Sequence, residues 1–198
     1  KTKVLEIIPS IKLFHCANSP GFLRFKDSHM DMVRIGLIMY GLNPFGDACL
    51  PFLEPGAIEL IKKLKPVMSL KANISLIKKV KKGSCVSYCA SFKTKRDSII
   101  ATIPLGYADG YSRLLSNRAN VLFRGKSVPV VGNITMDQFM VDLTDAINEA
   151  KINEEEYVTL IGRDGGLEIS ADDLAGIMGT INYEIVCNIR GRVPRVYK

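Results

Sequence analysis

The chain has 198 residues, of which 47% are hydrophobic and 24% charged, and its 27 basic and 20 acidic side chains give a net charge of +7. This composition is typical of a globular protein and excludes intrinsic disorder, collagen and a coiled coil. No apolar run approaches the roughly 20 residues that cross a bilayer, which excludes a membrane helix and predicts a soluble protein.

The five cysteines are widely spaced and never arranged as Cys-x-x-Cys. This pattern argues against a disulfide framework and against a zinc site. The start of the chain lacks the pattern of a secretory signal. We therefore expect reduced cysteines, no bound metal and a cytoplasmic location. Because the chain begins at Lys1 and not at a methionine, we also expect it to be part of a longer protein.

The positive charge is concentrated in one stretch. Residues 61–96 carry eleven Lys or Arg and no acid, whereas residues 142–184 carry eleven acids. A basic stretch could contact the phosphates of a nucleic acid. It also fits a solvated strand face, or a surface that meets the acidic stretch of a neighbouring subunit. Because no aromatic platform for bases accompanies it, we favour this second interpretation and expect neither nucleic acid nor membrane as a partner.

The first 56 residues are predicted as short strands and loops. Residues 33–40 are an apolar run apart from Arg34, which predicts a strand buried in a parallel sheet. Residues 57–64 have the apolar spacing of a helix that Pro66 ends. The pattern changes near residue 60, which is the predicted domain boundary.

The rest of the chain is predicted as a β-rich domain. Residues 68–77 alternate with a period of two, which predicts a half-buried strand. Turn signals separate further strands predicted at 85–92, 98–104, 119–123, 128–131, 139–143 and 157–162. Ser170 and Asp173 have the spacing of a capping box before a helix over 171–178, which Gly179 ends. A second short helix is predicted over 180–187.

Spacing alone reveals no catalytic constellation. His15 and His29 are not in a metal-ligand spacing, and the sequence has neither a nucleophile elbow nor a P-loop. Polar residues in glycine-rich or apolar surroundings form five segments: His-Cys-Ala-Asn-Ser at 15–19, Val-Arg-Ile-Gly at 33–36, Ser-Tyr at 87–88, Gly-Tyr-Ala-Asp-Gly at 106–110 and Thr-Met-Asp-Gln at 135–138.

In these segments, taken in order, and in the closing Arg-Val-Pro-Arg at 192–195, the sequence resembles the alanine racemases. These enzymes use pyridoxal 5′-phosphate (PLP) and consist of an α/β barrel followed by a β-rich domain. The resemblance implies that residues 1–60 are the end of a PLP-binding TIM-type α/β barrel and that residues 61–198 are a mainly β C-terminal domain. It implies interconversion of L-alanine and D-alanine by two-base proton transfer, which supplies D-alanine for peptidoglycan.

The resemblance also implies which residues bind the cofactor. Ser19 would hydrogen-bond the PLP phosphate together with backbone donors at Gly36 and Leu37, and Arg34 would face the pyridine nitrogen. Because a guanidinium only donates, that nitrogen would stay unprotonated and the ring would be a weaker electron sink. Reprotonation of the substrate would then be favoured over transamination.

Racemisation needs an acid and a base on opposite faces of the planar α-carbon. The resemblance assigns one role to the PLP lysine and the other to Tyr88, the catalytic tyrosine. Tyr107 would line the access for the amino-acid substrate, and the backbone N–H of Met136 would bind its carboxylate. The resemblance further implies a homodimer in which these residues serve the active site of the partner subunit.

Several features depart from the family pattern. The motif of the PLP lysine, similar to Lys-Ala-x-Ala-Tyr-Gly-His, does not occur, so we expect this segment on its own to be inactive. Cys89 stands where a glycine usually follows the tyrosine, Asn133 where an arginine is common, and Gly191 where many members have a phosphate-binding tyrosine. Two alternatives stay open: a racemase of serine or another small amino acid, and a basic, non-catalytic module that binds nucleic acid or a partner surface.

Overall fold

The computed structural model describes residues 6–147 and 156–197, and the chain divides into two compact units, Lys1–Val67 and Met68–Lys198. The first unit contains the helices α1 (Ser19–Arg24) and α2 (Pro55–Lys63) and three short 3-10 helices, Lys26–Ser28, Leu37–Tyr40 and Asp47–Phe52. The helix predicted over 57–64 is confirmed as α2. The predicted boundary at residue 60 lies inside α2.

The buried strand predicted over 33–40 is wrong. Leu37–Tyr40 is a 3-10 helix in which only Leu37 is buried, while 71% of Met39 is exposed. A strand needs a neighbouring strand for its backbone hydrogen bonds, and the described residues of the first unit contain no strand. Residues 37–40 therefore form local hydrogen bonds, as between the Met39 N–H and the Gly36 oxygen at 3.0 Å, whereas the Arg34 N–H before them donates to the Ala17 oxygen at 2.8 Å.

The second unit is built on an antiparallel sheet, which confirms the predicted β-rich domain. Its strands are β1 (Leu70–Asn73), β2 (Leu76–Val80), β3 (Cys85–Val86), β4 (Phe92–Lys93), β5 (Ser98–Ile103), β6 (Asn120–Phe123), β7 (Lys126–Val131), β8 (Phe139–Asp142), β9 (Tyr157–Asp164) and β10 (Leu167–Ile169). The main sheet has the order β1-β9-β6-β7-β8-β5-β2, with β10 paired to β9, and β3 and β4 form a separate hairpin. Only two residues join β1 to β2, so the sheet curls until the end of β1 lies near the start of β2, although the two strands are not paired.

Two predicted strands are each interrupted. Leu70 and Ile74 are buried as the alternation predicts, but Leu76 is 47% exposed. Because β1 pairs with β9 and β2 pairs with β5, the chain changes its partner at 74–75 and the inward positions shift. The strand predicted over 85–92 is the β3–β4 hairpin, which turns through the 3-10 helix Tyr88–Ala90.

The core is built from side chains of the curled sheet and of the loops that adjoin it, and in the middle of β6 and β9 consecutive residues are buried. The largest fully buried side chains include Tyr111, Phe123, Phe139, Ile103 and Leu115. Helices α3 (Ala171–Met178) and α4 (Asn182–Asn188) follow β10 and confirm the two predicted C-terminal helices.

No helix among the described residues is long and apolar enough to cross a bilayer. Within the same residues, no three His, Cys, Asp or Glu side chains lie together in an arrangement that could hold a metal ion. The five cysteines are free thiols at exposed positions.

The predicted capping box at the start of α3 is confirmed, and it generates a test of stability. The Ser170 Oγ accepts a hydrogen bond from the Asp173 N–H at 3.0 Å, and the Asp173 carboxylate accepts one from the Ser170 N–H at 2.8 Å. We expect Ser170→Ala to lower the free energy of unfolding by about 1 kcal/mol, because one N–H of the first turn loses its acceptor. Ser170→Thr keeps the acceptor and should cost less. Urea denaturation measures both; equal losses would contradict the role of the cap.

Candidate active site

Three predicted cofactor residues lie together in the first unit. Ser19 is 3% exposed at the start of α1, and Asn18 caps this helix by accepting a hydrogen bond from the Gly21 N–H. The Ser19 Oγ accepts a hydrogen bond from the Gly36 N–H at 3.0 Å. Leu37 begins a 3-10 helix, where the first N–H groups have no partner within the helix. The Ser19 hydroxyl and the Leu37 N–H can therefore donate to an anion, whereas the Gly36 N–H is already engaged.

Arg34 is held through both its backbone and its side chain. Its N–H donates to the Ala17 oxygen at 2.8 Å, and its Nη1 lies 2.8 Å from Nδ1 of His15. Because a guanidinium is only a donor, Nδ1 of His15 is the acceptor in this contact and the imidazole carries its proton on Nε2. Arg34 is exposed, and its remaining N–H groups can serve an acceptor such as a pyridine nitrogen.

Tyr88 lies at the tip of the β3–β4 hairpin and is 69% exposed. Three neighbouring residues in this turn have left-handed backbone angles: Ser87 with φ 66°, Cys89 with φ 59° and Ala90 with φ 48°. Residues with a Cβ adopt such angles at a cost, while glycine does so readily. Cys89, the departure from the family's usual glycine, therefore occupies a position where the backbone geometry favours glycine.

The Tyr88 hairpin is tied to the loop that follows β7. The Ser87 Oγ donates to the Asn133 oxygen at 2.8 Å, and the Asn133 Nδ2 donates to the Tyr88 oxygen at 3.1 Å. Gly132 lies directly against the hairpin, because a Cβ there would come within 2.6 Å of the Ser87 Cβ. These contacts hold the backbone of Tyr88 while its side chain stays accessible.

The loops that carry Tyr107 and Met136 are bonded to each other. The Tyr107 N–H donates to the Thr135 oxygen and the Ala108 N–H to the Met136 oxygen, both at 3.0 Å. Gly106 permits this approach, since a Cβ there would lie 2.3 Å from the Thr135 oxygen. The C=O of a trans peptide points opposite to its N–H, so the Met136 N–H points away from Tyr107. It donates to no residue that the structure describes in the second unit.

Arg192, from the closing Arg-Val-Pro-Arg, joins both loops. Its Nε lies 3.2 Å from Asp109 Oδ1 and its Nη2 lies 2.7 Å from Asp137 Oδ1. The hydrogen bond to Asp137 and the charge of Asp109 raise the pKa of Arg192 above its ordinary value, so the guanidinium stays charged. Arg192 is not among the residues predicted for the site, and its place in the closing Arg-Val-Pro-Arg is the one sequence feature that points to it.

The predicted site residues thus form two groups, one in each unit. Within the first unit the structure brings together Ser19, Gly36 and Leu37, with Arg34 two residues before Gly36. Within the second unit, Tyr107 and Met136 lie on bonded loops, and Asn133 connects the second of these loops to the hairpin of Tyr88.

Comparison with known families and proteins identifies close relatives. Residues 67–197 match the family model of the alanine racemase C-terminal domain, and residues 2–44 match that of the alanine racemase N-terminal domain. The alanine racemase of Clostridium novyi (strain NT) is 47% identical over 188 residues, which cover 95% of this chain and 46% of that protein. That of Desulfovibrio desulfuricans is 46% identical over 183 residues, which cover 92% of this chain and 45% of that protein. The chain spans about half the length of the curated relatives it matches.

Solved structures of alanine racemases are similar to this chain in fold as well as in sequence. Alanine racemase from Bacillus anthracis with bound L-Ala-P superposes with a TM-score of 0.80 at 41% identity, covering 98% of this chain and 47% of that chain. Alanine racemase from Bartonella henselae with covalently bound pyridoxal phosphate superposes with a TM-score of 0.75 at 34% identity, covering 100% of this chain and 50% of that chain. The fold is therefore the end of an α/β barrel followed by a mainly β C-terminal domain, as predicted.

The tie between Asn133 and the hairpin can be tested by amide hydrogen exchange in the full-length protein. Asn133→Asp keeps the shape of the side chain but replaces the donor with an acceptor, so the bond to the Tyr88 oxygen is lost. We expect exchange in residues 85–93 to become about tenfold faster, as the loss of one hydrogen bond predicts. Asn120→Asp, at an exposed position of β6, is the control. Unchanged exchange in Asn133→Asp would show that this bond does not hold the hairpin.

Proposed function

Because this chain belongs to the alanine racemase family, we propose that the protein containing it interconverts L-alanine and D-alanine with pyridoxal 5′-phosphate as cofactor. The observation that carries this proposal is the arrangement in the second unit. There, an accessible phenol at Tyr88 is tied through Asn133 to the loop that presents the Met136 N–H. Racemisation of an amino acid needs two proton-transferring groups, and a donor can hold the substrate carboxylate; the second unit offers one such group and such a donor.

The donors of the first unit fit the cofactor. A phosphate group accepts hydrogen bonds, and the Ser19 hydroxyl and the Leu37 N–H are donors; the Gly36 N–H would share its bond with Ser19. Arg34, oriented by His15, would donate to the pyridine nitrogen and keep it unprotonated. When bound, pyridoxal phosphate withdraws electrons from the α-carbon of an amino acid attached to it.

The residues of the second unit would handle the substrate and its proton. Racemisation requires the α-proton to leave one face of the carbon and a proton to arrive at the other. We assign one face to the Tyr88 hydroxyl and the other to the lysine that holds the cofactor, which lies outside this chain. The Met136 N–H would bind the substrate carboxylate, and Tyr107, which is 40% exposed, would line the access to the site.

We also propose that the protein is a homodimer with active sites shared between subunits, and that its D-alanine serves peptidoglycan synthesis. The exposed side chains of Tyr88, Tyr107 and Met136 support the dimer, because accessible apolar and aromatic groups are typical of surfaces that a partner covers. The expected cytoplasmic location stays a prediction.

Family membership favours this proposal over the basic, non-catalytic module, and the names of the matched relatives favour alanine over serine. The basic stretch is also partly paired with acids of its own unit. Lys81 Nζ lies 2.8 Å from Asp97 Oδ2, and Arg96 pairs with Asp145. This pairing supports the interpretation of the stretch as a solvated surface.

Tyr88→Phe in the full-length protein tests the proposed reaction. The hydroxyl is exposed, so the fold should persist while one face loses its proton donor. We expect racemisation to fall by about 10² to 10⁴, while solvent deuterium still enters the α-position of one enantiomer, expected to be the D form, with retention. Tyr157→Phe, which removes the hydroxyl of an exposed tyrosine in β9, should change neither rate. Equal loss of deuterium exchange for both enantiomers would contradict the assignment of one face to Tyr88.

Mixed dimers test whether Tyr88 serves the partner subunit. Co-expression of Tyr88→Phe with a subunit that lacks the cofactor lysine should restore about one working site per mixed dimer, because each defect would fall in the same site. An absence of recovery would mean that Tyr88 acts within its own chain.

Arg34→Glu tests the contact with the pyridine nitrogen. A carboxylate accepts where a guanidinium donates, so the nitrogen would become protonated and electron withdrawal from the α-carbon would increase. We expect a larger share of turnovers to end in transamination, measured as pyruvate formed per racemisation event. Arg24→Glu makes the same charge change at an exposed position of α1 and should leave this share unchanged. An unchanged share in Arg34→Glu would rule Arg34 out as the pyridine partner.

A further inference from the structure

We propose that Arg192 is a positioning residue, which holds the loops 106–110 and 135–138 in one arrangement for the substrate carboxylate. The inference rests on the proposed function, in which the Met136 N–H binds that carboxylate. Arg192 does not itself contact the substrate in this scheme, because its guanidinium forms ion pairs with carboxylates of the two loops. It acts through their backbones.

A single guanidinium meets one carboxylate from each loop. The Nη2 N–H donates to Asp137 Oδ1 at 2.7 Å, and the Nε N–H forms an ion pair with Asp109 Oδ1, with an Nε–Oδ1 distance of 3.2 Å. These two N–H groups belong to one rigid, planar fork. The spacing of the nitrogens therefore determines the spacing of the two carboxylates, which a lysine ammonium on a flexible stem would not do.

On the first loop, Asp109 transmits this constraint to the backbone. Its side chain is 11% exposed, and its second oxygen, Oδ2, accepts a hydrogen bond from the Gly106 N–H at 2.9 Å. Its backbone oxygen accepts another from the Arg190 N–H at 3.2 Å. The loop that carries Tyr107 is thus joined to the C-terminal segment at two points.

On the second loop, Asp137 directly follows Met136. The oxygen of the Thr135–Met136 peptide accepts from the Tyr107 N–H at 3.0 Å, which aims the N–H of the same peptide away from the first loop. The direction of this N–H matters for binding because a hydrogen bond weakens steeply when its donor is misaligned. Arg192 anchors the residue next to the proposed donor and so restrains its direction.

Exposure indicates that the contact contributes to position more than to stability. The side chains of Arg192 and Asp137 are 54% and 60% exposed, and such ion pairs add little to the free energy of folding. A comparable exposed pair elsewhere in the unit provides a matched control. Arg163 Nε lies 2.8 Å from Glu168 Oε2 and joins only the adjacent strands β9 and β10.

The kinetic test compares Arg192→Gln, Arg192→Lys and Arg163→Gln in the full-length enzyme. For Arg192→Gln we expect the KM for both alanine enantiomers to rise about tenfold, the effect of a weakened hydrogen bond to a charged group, with kcat changed less than about threefold. Arg192→Lys should recover part of the loss, because it keeps the charge and can form one of the two contacts. Arg163→Gln should leave both constants unchanged.

Amide hydrogen exchange of the two loops provides a measurement that does not depend on turnover. Faster exchange in both 106–110 and 135–138 for Arg192→Gln, but not for Arg163→Gln, is the expected result. Unchanged exchange, or an unchanged KM, would overturn the positioning role. If the wild-type enzyme showed no racemase activity, the proposed function would be overturned, and with it the role of the loops in binding a carboxylate. The exchange data would still show whether Arg192 couples the loops 106–110 and 135–138.

Discussion

The second unit depends on one geometric constraint, the curling of its antiparallel sheet. The strands β1 and β2 are outermost in the sheet order, yet only Ile74 and Ser75 separate them in the chain. Since β8 pairs antiparallel with both β5 and β7, the ends of β5 and β7 and the start of β8 lie at the same end of the sheet. The loops that follow β5 and β7 both start at this end of the sheet. Their residues are about 30 positions apart in the sequence, and the sheet brings them close enough to form hydrogen bonds with each other.

At this end of the sheet, backbone contacts bring the loops together. The Gly106 backbone lies against Thr135 and Met136, and Gly132 lies against Ser87, in both cases closer than a Cβ would allow. Main-chain contacts of this kind leave the side chains free to face outward. The result is a backbone joined by hydrogen bonds that carries exposed side chains such as Tyr88 and Tyr107, an arrangement that suits binding or catalysis.

The two units present different chemistry. The first unit collects donors, with the Ser19 hydroxyl, the Leu37 N–H and the Arg34 guanidinium, and this set suits an anionic cofactor with an acceptor nitrogen. The second unit offers the phenol of Tyr88 and a backbone N–H at Met136, which suit proton transfer and a carboxylate.

Local patterns in the sequence predicted the structure correctly where it depends on residues close together in the chain. The capping box at Ser170, the helix α2 and the strands from β5 to β9 were predicted from spacing, because hydrogen bonds within a helix turn and alternation along a strand are local properties. The family motifs also led directly to Ser19, Arg34, Tyr88, Tyr107 and Met136 as candidates, because each motif is a short contiguous segment. Their roles stay predictions.

Features that depend on contacts between residues far apart in the chain were decided by the tertiary structure alone. Within the run at 33–40, only residues 37–40 form a helix, of the 3-10 type, and the described part of this unit offers no strand for the run to pair with. The alternation after Ile74 shifts because β2 pairs with a different strand from β1. Arg192 lies far along the chain from Asp109 and Asp137, so no spacing rule could connect them. Pairing between strands and contacts between loops are set by which surfaces meet in space, and a linear pattern carries that information only weakly.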